Sequence, residues 1–349
     1  MIKIDGSYLE GGGQIVRTSL SLSGLTGKGF EISSIRKNRP KPGLREQHLQ
    51  AVEAVGKICN AKHNAELNSE TLKFEPEEIN GGSYLVKVRT AGSTALILNT
   101  IMPLAHSKKI KVKITGGGTW NKFAPPMLSI KKVLLVLLKK FNYKGDVKII
   151  REGFYPKGGA EVDFAGEIKK IKKIDLNQPE ELREIEIISV ASKHLKNKRV
   201  AERQAKRAEE ILNSSGEFKE NIRKRTEYVD ALCPGSGILI VGRGSRNIIS
   251  ADSLGERGKS AEKVGKEVAK EFLSEIKNKS SVDKHIADQL MVYMALAVLD
   301  MSKKEHVESE IKTSEITLHA KTNAYVIEKF LPVEFEFKDK TIKCRKKKS

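Results

Sequence analysis

The sequence predicts an α+β fold of three βαβαββ units, with a smaller α/β domain inserted between the second and third. Three observations carry this prediction. Apolar helical stretches that open on Gly or polar residues recur three times. Alternating strands of period two follow them, most plainly in the Lys-Ile-Lys-Val-Lys-Ile run that begins at Lys109. Residues 182–279 break the recurrence.

In chain order, the first helix spans 13–25 behind a glycine turn, and its strand spans 30–35. A second helix begins near Leu44, after a turn stiffened by Pro40 and Pro42. The next unit has a strand at 84–88, a helix at 92–105, a strand at 109–115, a helix from about Pro125 and a strand at 146–150. Inside 182–279, an amphipathic helix at 201–212 precedes strands at 226–231 and 237–241 and a long helix at 261–276. The last unit has a helix at 284–299, a strand at 308–315, a helix from about Thr322 and a strand at 333–337. The expected domains are therefore 1–181 with 280–340, an insert at 182–279, and a disordered basic tail at 341–349.

With 349 residues and 39% hydrophobic content, the chain can bury a sizeable core and suits two domains. A net charge of +20 points to a polyanion such as nucleic acid, with a habitat-driven lysine surplus as the other reading. Cys59, Cys233 and Cys344 are widely spaced and form no CxxC pair, which argues against structural zinc and a disulfide framework. The N-terminal residues lack the apolar core of a signal peptide, and the longest apolar run, 133–138, is too short to span a bilayer. A cytoplasmic protein without a membrane partner is expected. The oligomeric state is left open.

The run Glu10-Gly11-Gly12-Gly13-Gln14-Ile15-Val16-Arg17 leads straight into a helix. Glycines let backbone N–H groups approach a phosphate, the helix N-terminus adds partial positive charge, Arg17 can pair with anionic oxygens, and Glu10 can hold a divalent cation. The stretch reads as a polyphosphate site, although a glycine turn can also be only a tight connection. Three further segments accompany it: Arg36 to His48, dense in Arg and Lys; Lys284-His285-Ile286-Ala287-Asp288-Gln289; and Thr317-Leu318-His319-Ala320-Lys321-Thr322-Asn323. Taken in this order, the four segments resemble the RNA 3′-terminal phosphate cyclase family, from Gly6 to about Phe335.

The resemblance implies a three-unit fold like that of the enolpyruvyl transferases. It also implies ATP-dependent conversion of an RNA 3′-phosphate to a 2′,3′-cyclic phosphodiester. The 2′-hydroxyl must attack a phosphomonoester with a poor leaving group, and attaching AMP supplies a good one. A neutral imidazole is a suitable carrier of AMP. By resemblance that nucleophile is His319, with Arg39 and His48 as the other catalytic residues. The nucleotide loop is His285, Ile286, Ala287, Asp288 and Gln289, with His285 stacking on adenine against Pro125. Arg17 and Glu10 also belong to the nucleotide site, and Glu10 would position Mg²⁺ or Mn²⁺. Arg36 and Gln47 would hold the substrate phosphate, for which arginine forks suit a terminal phosphate. Asn99 stands where glutamine is expected.

Two tempting motifs fail. Gly255-Glu256-Arg257-Gly258-Lys259-Ser260 ends like a P-loop, but the earlier glycine would fall at Ser253. Gly242-Arg243-Gly244 lacks the third glycine of a dinucleotide fingerprint. The competing readings are a non-catalytic RNA-binding relative in ribosomal RNA processing and an enolpyruvyl transferase. The retained His319, Arg39, His48 and Asp288-Gln289 disfavour the first, and the positive charge disfavours the second.

Overall fold

A computed structural model describes residues 1–106, 108–217, 222–301 and 307–348. Elements β1 (Ile2–Asp5), α1 (Gln14–Thr26), β2 (Phe30–Ser33), α2 (Glu46–Ile58), β3 (Lys62–His63) and β4 (Leu72–Glu75) come first. β2 pairs parallel with β1 and antiparallel with β4, so the first sheet has the order β1-β2-β4-β3. Next come β5 (Gly82–Ser93), α3 (Thr94–Ile101), β6 (Ile110–Gly118), α4 (Met127–Ser129), α5 (Leu135–Lys140), β7 (Lys144–Arg151) and β8 (Glu161–Glu167). Their sheet has the order β5-β6-β8-β7, again a parallel pair followed by antiparallel ones.

β9 (Asp175–Leu176) finds its sheet much later in the chain. First come β10 (Glu184–Ser192), α6 (Val200–Ser214), β11 (Ile222–Val229), β12 (Ser236–Arg243), β13 (Ile248–Leu254) and α7 (Ala261–Lys277), with sheet order β11-β10-β12-β13. Then α8 (Lys284–Asp300), β14 (Glu308–Lys312), α9 (Leu318–Phe330), β15 (Val333–Lys338) and β16 (Thr341–Lys346) close the chain. β14 pairs parallel with β9 and antiparallel with β16, giving β9-β14-β16-β15. The fold is thus α+β, with several small mixed sheets.

Alternation explains which way the sheets face. In β6 the residues Ile110, Val112 and Ile114 are buried, while Lys111 and Lys113 are exposed. The helices meet on the buried side: α1 packs on α2, α3 and α9, and α8 packs on α9. One apolar cluster runs through these layers. A second is drawn from the 184–277 segment and its flanks, with Ile187, Ile240, Val268 and Phe272 at its centre.

Several expectations are corrected. The helix expected from Thr322 starts at Leu318, because the Thr317 hydroxyl accepts the Ala320 N–H at 3.0 Å and caps the first turn. The helix expected over 92–105 begins only at Thr94 and tightens to 3₁₀ geometry from Met102, next to Pro103. The basic tail is ordered as β16 up to Lys346. Ile342 and Cys344 alternate into the core, while Lys343 pairs with Glu310 and Arg345 with Glu334. Strands β10 and β13 lack alternation because most of their residues are buried, so periodicity does not reveal them.

Candidate active site

α1 and α9 lie side by side, and their N-terminal turns bring Glu10 and His319 together. The His319 Nδ1–H donates to Glu10 Oε2 at 2.5 Å, and Arg39 Nη2 donates to Glu10 Oε1 at 2.5 Å. Because Nδ1 carries the proton, Nε2 keeps its lone pair. Burial lowers the His319 pKa, and neighbouring Arg17, Arg39 and His285 add to this against the opposing pull of Glu10. The ring is therefore neutral at pH 7, with a free nitrogen and a carboxylate that fixes its orientation.

The glycine turn is shaped around a second histidine. Gly11 is left-handed at φ +57°, and a Cβ at Gly13 would overlap His48 Nε2, so glycine is required at both. His48 is buried at the start of α2, where its Nδ1 accepts the Arg45 N–H at 3.0 Å. Burial drives its pKa well down, and Arg17, Arg36 and Arg45 drive it further. Beside both rings lies Arg17, whose pKa is lowered to about 10 by burial and by Arg36. Glu10 is engaged by Arg39 and His319, and Arg17 has no carboxylate partner among the described residues. A desolvated guanidinium left unneutralised beside a glycine turn is a seat for an anion.

The comparisons with known proteins agree along nearly the whole chain. A family model described as RNA 3′-terminal phosphate cyclase matches residues 8–337. Proteins named RNA 3′-terminal phosphate cyclase from Pyrococcus furiosus and Pyrobaculum aerophilum are 42% and 41% identical, each over 97% of this chain and 95% of the relative. One of the same name from Methanosarcina acetivorans is 38% identical over 97% of this chain and 98% of its own. The chain belongs to the RNA 3′-terminal phosphate cyclase family.

Around the two histidines, this cyclase family member arranges the other expected residues unevenly. His285 is exposed in the first turn of α8, near enough to His319 to affect its charge. Ile286 and Ala287 have buried side chains, which leaves only their backbone for a ligand. The Asp288 Oδ1 accepts from the Thr317 hydroxyl at 2.9 Å, and burial raises the Asp288 pKa to about 8. Asn99 Nδ2 donates to Gln289 Oε1 at 2.9 Å, while the buried Asn99 Oδ1 has no partner among the described residues. Pro125 is half-buried just before α4. Arg36 is less free than expected, since its Nη1 donates to Lys41 O at 2.7 Å and Gly43 O at 3.0 Å. Gln47 is half-buried on the first turn of α2, and Gly92 lies against its Cβ.

Sequence reasoning missed the polar links that hold α9 on α1 and α8. Gln14 Nε2 donates to the His319 carbonyl at 2.6 Å, the Thr18 hydroxyl donates to Asn323 Oδ1 at 2.9 Å, and Asn323 Nδ2 donates to the Asp288 carbonyl at 3.0 Å. Tyr8 and Tyr325 stack with centroids 4.0 Å apart. The available signal was spacing: Gln14 and Thr18, like His319 and Asn323, are four residues apart and share a helix face.

Among the described residues, no group of three or more His, Cys, Asp or Glu could hold a metal ion. None of the described helices is long and apolar enough to cross a membrane.

Proposed function

We propose that the protein converts an RNA 3′-terminal phosphate to a 2′,3′-cyclic phosphodiester at the cost of ATP, through AMP carried on His319. The observation behind this is the neutral imidazole of His319, tied at Nδ1 to Glu10 and facing the unneutralised Arg17. His319 Nε2 attacks the α-phosphorus of ATP, forming a P–N bond as the bond to diphosphate breaks. Arg17 and the N–H groups of the glycine turn hold the phosphates. The RNA 3′-phosphate oxygen then takes AMP from the histidine, releasing the neutral ring. In the last step the 2′-hydroxyl attacks that phosphate, AMP leaves, and the hydroxyl proton passes to solvent or a nearby base.

The orphaned Asn99 Oδ1 is a buried acceptor suited to an amino donor such as that of adenine, which supports a nucleotide base between α3 and α8. His285, Pro125 and the backbone of Ile286 and Ala287 would border it. Arg39, His48, Arg36 and Gln47 would face the RNA phosphate. Glu10 would contact Mg²⁺ or Mn²⁺ through a lone pair that its bonds to His319 and Arg39 leave free, with phosphate oxygens and water as the other ligands of the ion. Such an ion would withdraw charge from the phosphate under attack. We read the three sheets of like order as the three βαβαββ units, and residues 182–279 as the inserted domain.

The test is incubation with ATP labelled at the α-phosphate. The expected adduct is stable to base, labile to acid, mapped to the His319 peptide, and absent from His319→Ala. Labelling that survives this substitution overturns the assignment. Absence of any adduct with tight RNA binding would favour a non-catalytic RNA-binding role.

A further inference from the structure

The loop after β7 and the turn after β10 are linked through the 232–235 segment, both carry exposed cations, and no step above uses them. A Cβ on Gly158 would stand 3.2 Å from the Ala91 Cα, and one on the adjacent Gly92 would stand 3.5 Å from the Gln47 Cβ, so this edge starts beside the expected phosphate site. On its other side, Gly159 abuts Leu232, and Gly235 packs on Phe154. Ser192 N–H donates to the Gly235 carbonyl at 2.8 Å, which brings in the turn Lys193–Lys198.

The loop is fixed rather than loose. Gly158 N–H donates to Phe154 O at 2.7 Å, Ala160 N–H donates to Gly117 O at 3.1 Å, and Arg151 Nε donates to Gly159 O at 2.6 Å. At its tip Tyr155 is 78% exposed, a large aromatic ring held in water by a rigid backbone. Next to it Lys157 is exposed, and beyond it so are Lys196, Lys198 and Arg199. Among the described residues these four cations have no carboxylate within ion-pair distance. The nearby Asp230 pairs with Lys193 at 2.8 Å, and Glu202 is bonded to the Tyr228 hydroxyl at 2.6 Å.

A fixed exposed ring followed by unpaired cations suits a flexible polyanion with stacking bases. We propose that the single-stranded RNA behind the reacting 3′ end runs along this edge, stacking a base on Tyr155 and laying its backbone phosphates on Lys157, Lys196 and Lys198. This rests on the RNA-end reading above, and it gives the 182–279 segment a role in substrate grip.

Binding of a fluorescent 12-nucleotide RNA with a 3′-hydroxyl end, measured without ATP, tests the edge independently of histidine adenylation. Lys196→Glu with Lys198→Glu is expected to weaken the 12-mer by about tenfold and to flatten its salt dependence by roughly one to two in log–log slope. A competing trimer, too short to reach the turn, should shift less than about twofold. Tyr155→Ala should weaken the 12-mer by about fivefold or more, and Tyr155→Trp should restore it. Thermal melting checks that each variant is folded, and Lys196→Ala with Lys198→Ala serves if charge reversal is not tolerated. Unchanged 12-mer affinity in folded variants, or equal losses for trimer and 12-mer, overturns the proposal. Failure of ATP labelling alone would sink the histidine mechanism and leave this result standing.

Discussion

Glu10 is a small group with two dependants. One oxygen orients His319 and the other holds Arg39, so replacing it disturbs both the proposed nucleophile and a cation. In Glu10→Gln the fixed tautomer is lost, because an amide does not enforce proton donation from Nδ1 as a carboxylate does. ATP-dependent labelling should fall by about two orders of magnitude. The pH profile gives a separate sign. The charge of Glu10 raises the His319 pKa against burial and the arginines, so its removal should move the acid limb of labelling to lower pH. A limb that stays or moves up would mean that Glu10 does not face the ring in solution. Asp288 has the opposite shift: raised to about 8, it is largely protonated at pH 7 and adds little negative charge beside Glu10.

At the scale of elements, the turn before α1 is set by contact with α2. Gly13 leaves no room for a side chain because His48 fills the space, so Gly13→Ala should cost about 1–3 kcal/mol in urea unfolding and displace the buried imidazole. Stability unchanged within error would show that the two turns are not in contact. These same elements show what was legible beforehand. The glycine run and the arginine-rich turn were readable because they break the apolar pattern around them, whereas His319 stood out only through the family resemblance of its segment. The start of α9 was misplaced by four residues, since Thr317 acts as a cap through one hydroxyl, a contact that periodicity does not encode. Strand β16 was hidden by its charge: four of its six residues are polar or cationic, three of them on the outward face, and only Ile342 and Cys344 mark the inward one. The links from Gln14 and Thr18 to α9 depend on which helices touch, which a single sequence does not reveal.

For the whole molecule, the position of β16 has a direct test. It lies between β14 and β15, so its removal detaches β15 from the sheet and leaves β14 paired with the two-residue β9 alone. Deleting 341–349 should abolish the cooperative melting transition, whereas deleting only 347–349 should change stability by no more than about 0.5 kcal/mol. A full transition in the longer deletion would mean that the last sheet does not need its central strand. The net charge of +20 is also a property of the whole, and in this family it is consistent with a polyanionic substrate.

Glu10 and His319 are 309 positions apart in sequence, yet a carboxylate oxygen of one stands 2.5 Å from a ring nitrogen of the other. The pair exists only once α1 and α9 have packed together, so it is a product of tertiary folding and neither segment holds it alone.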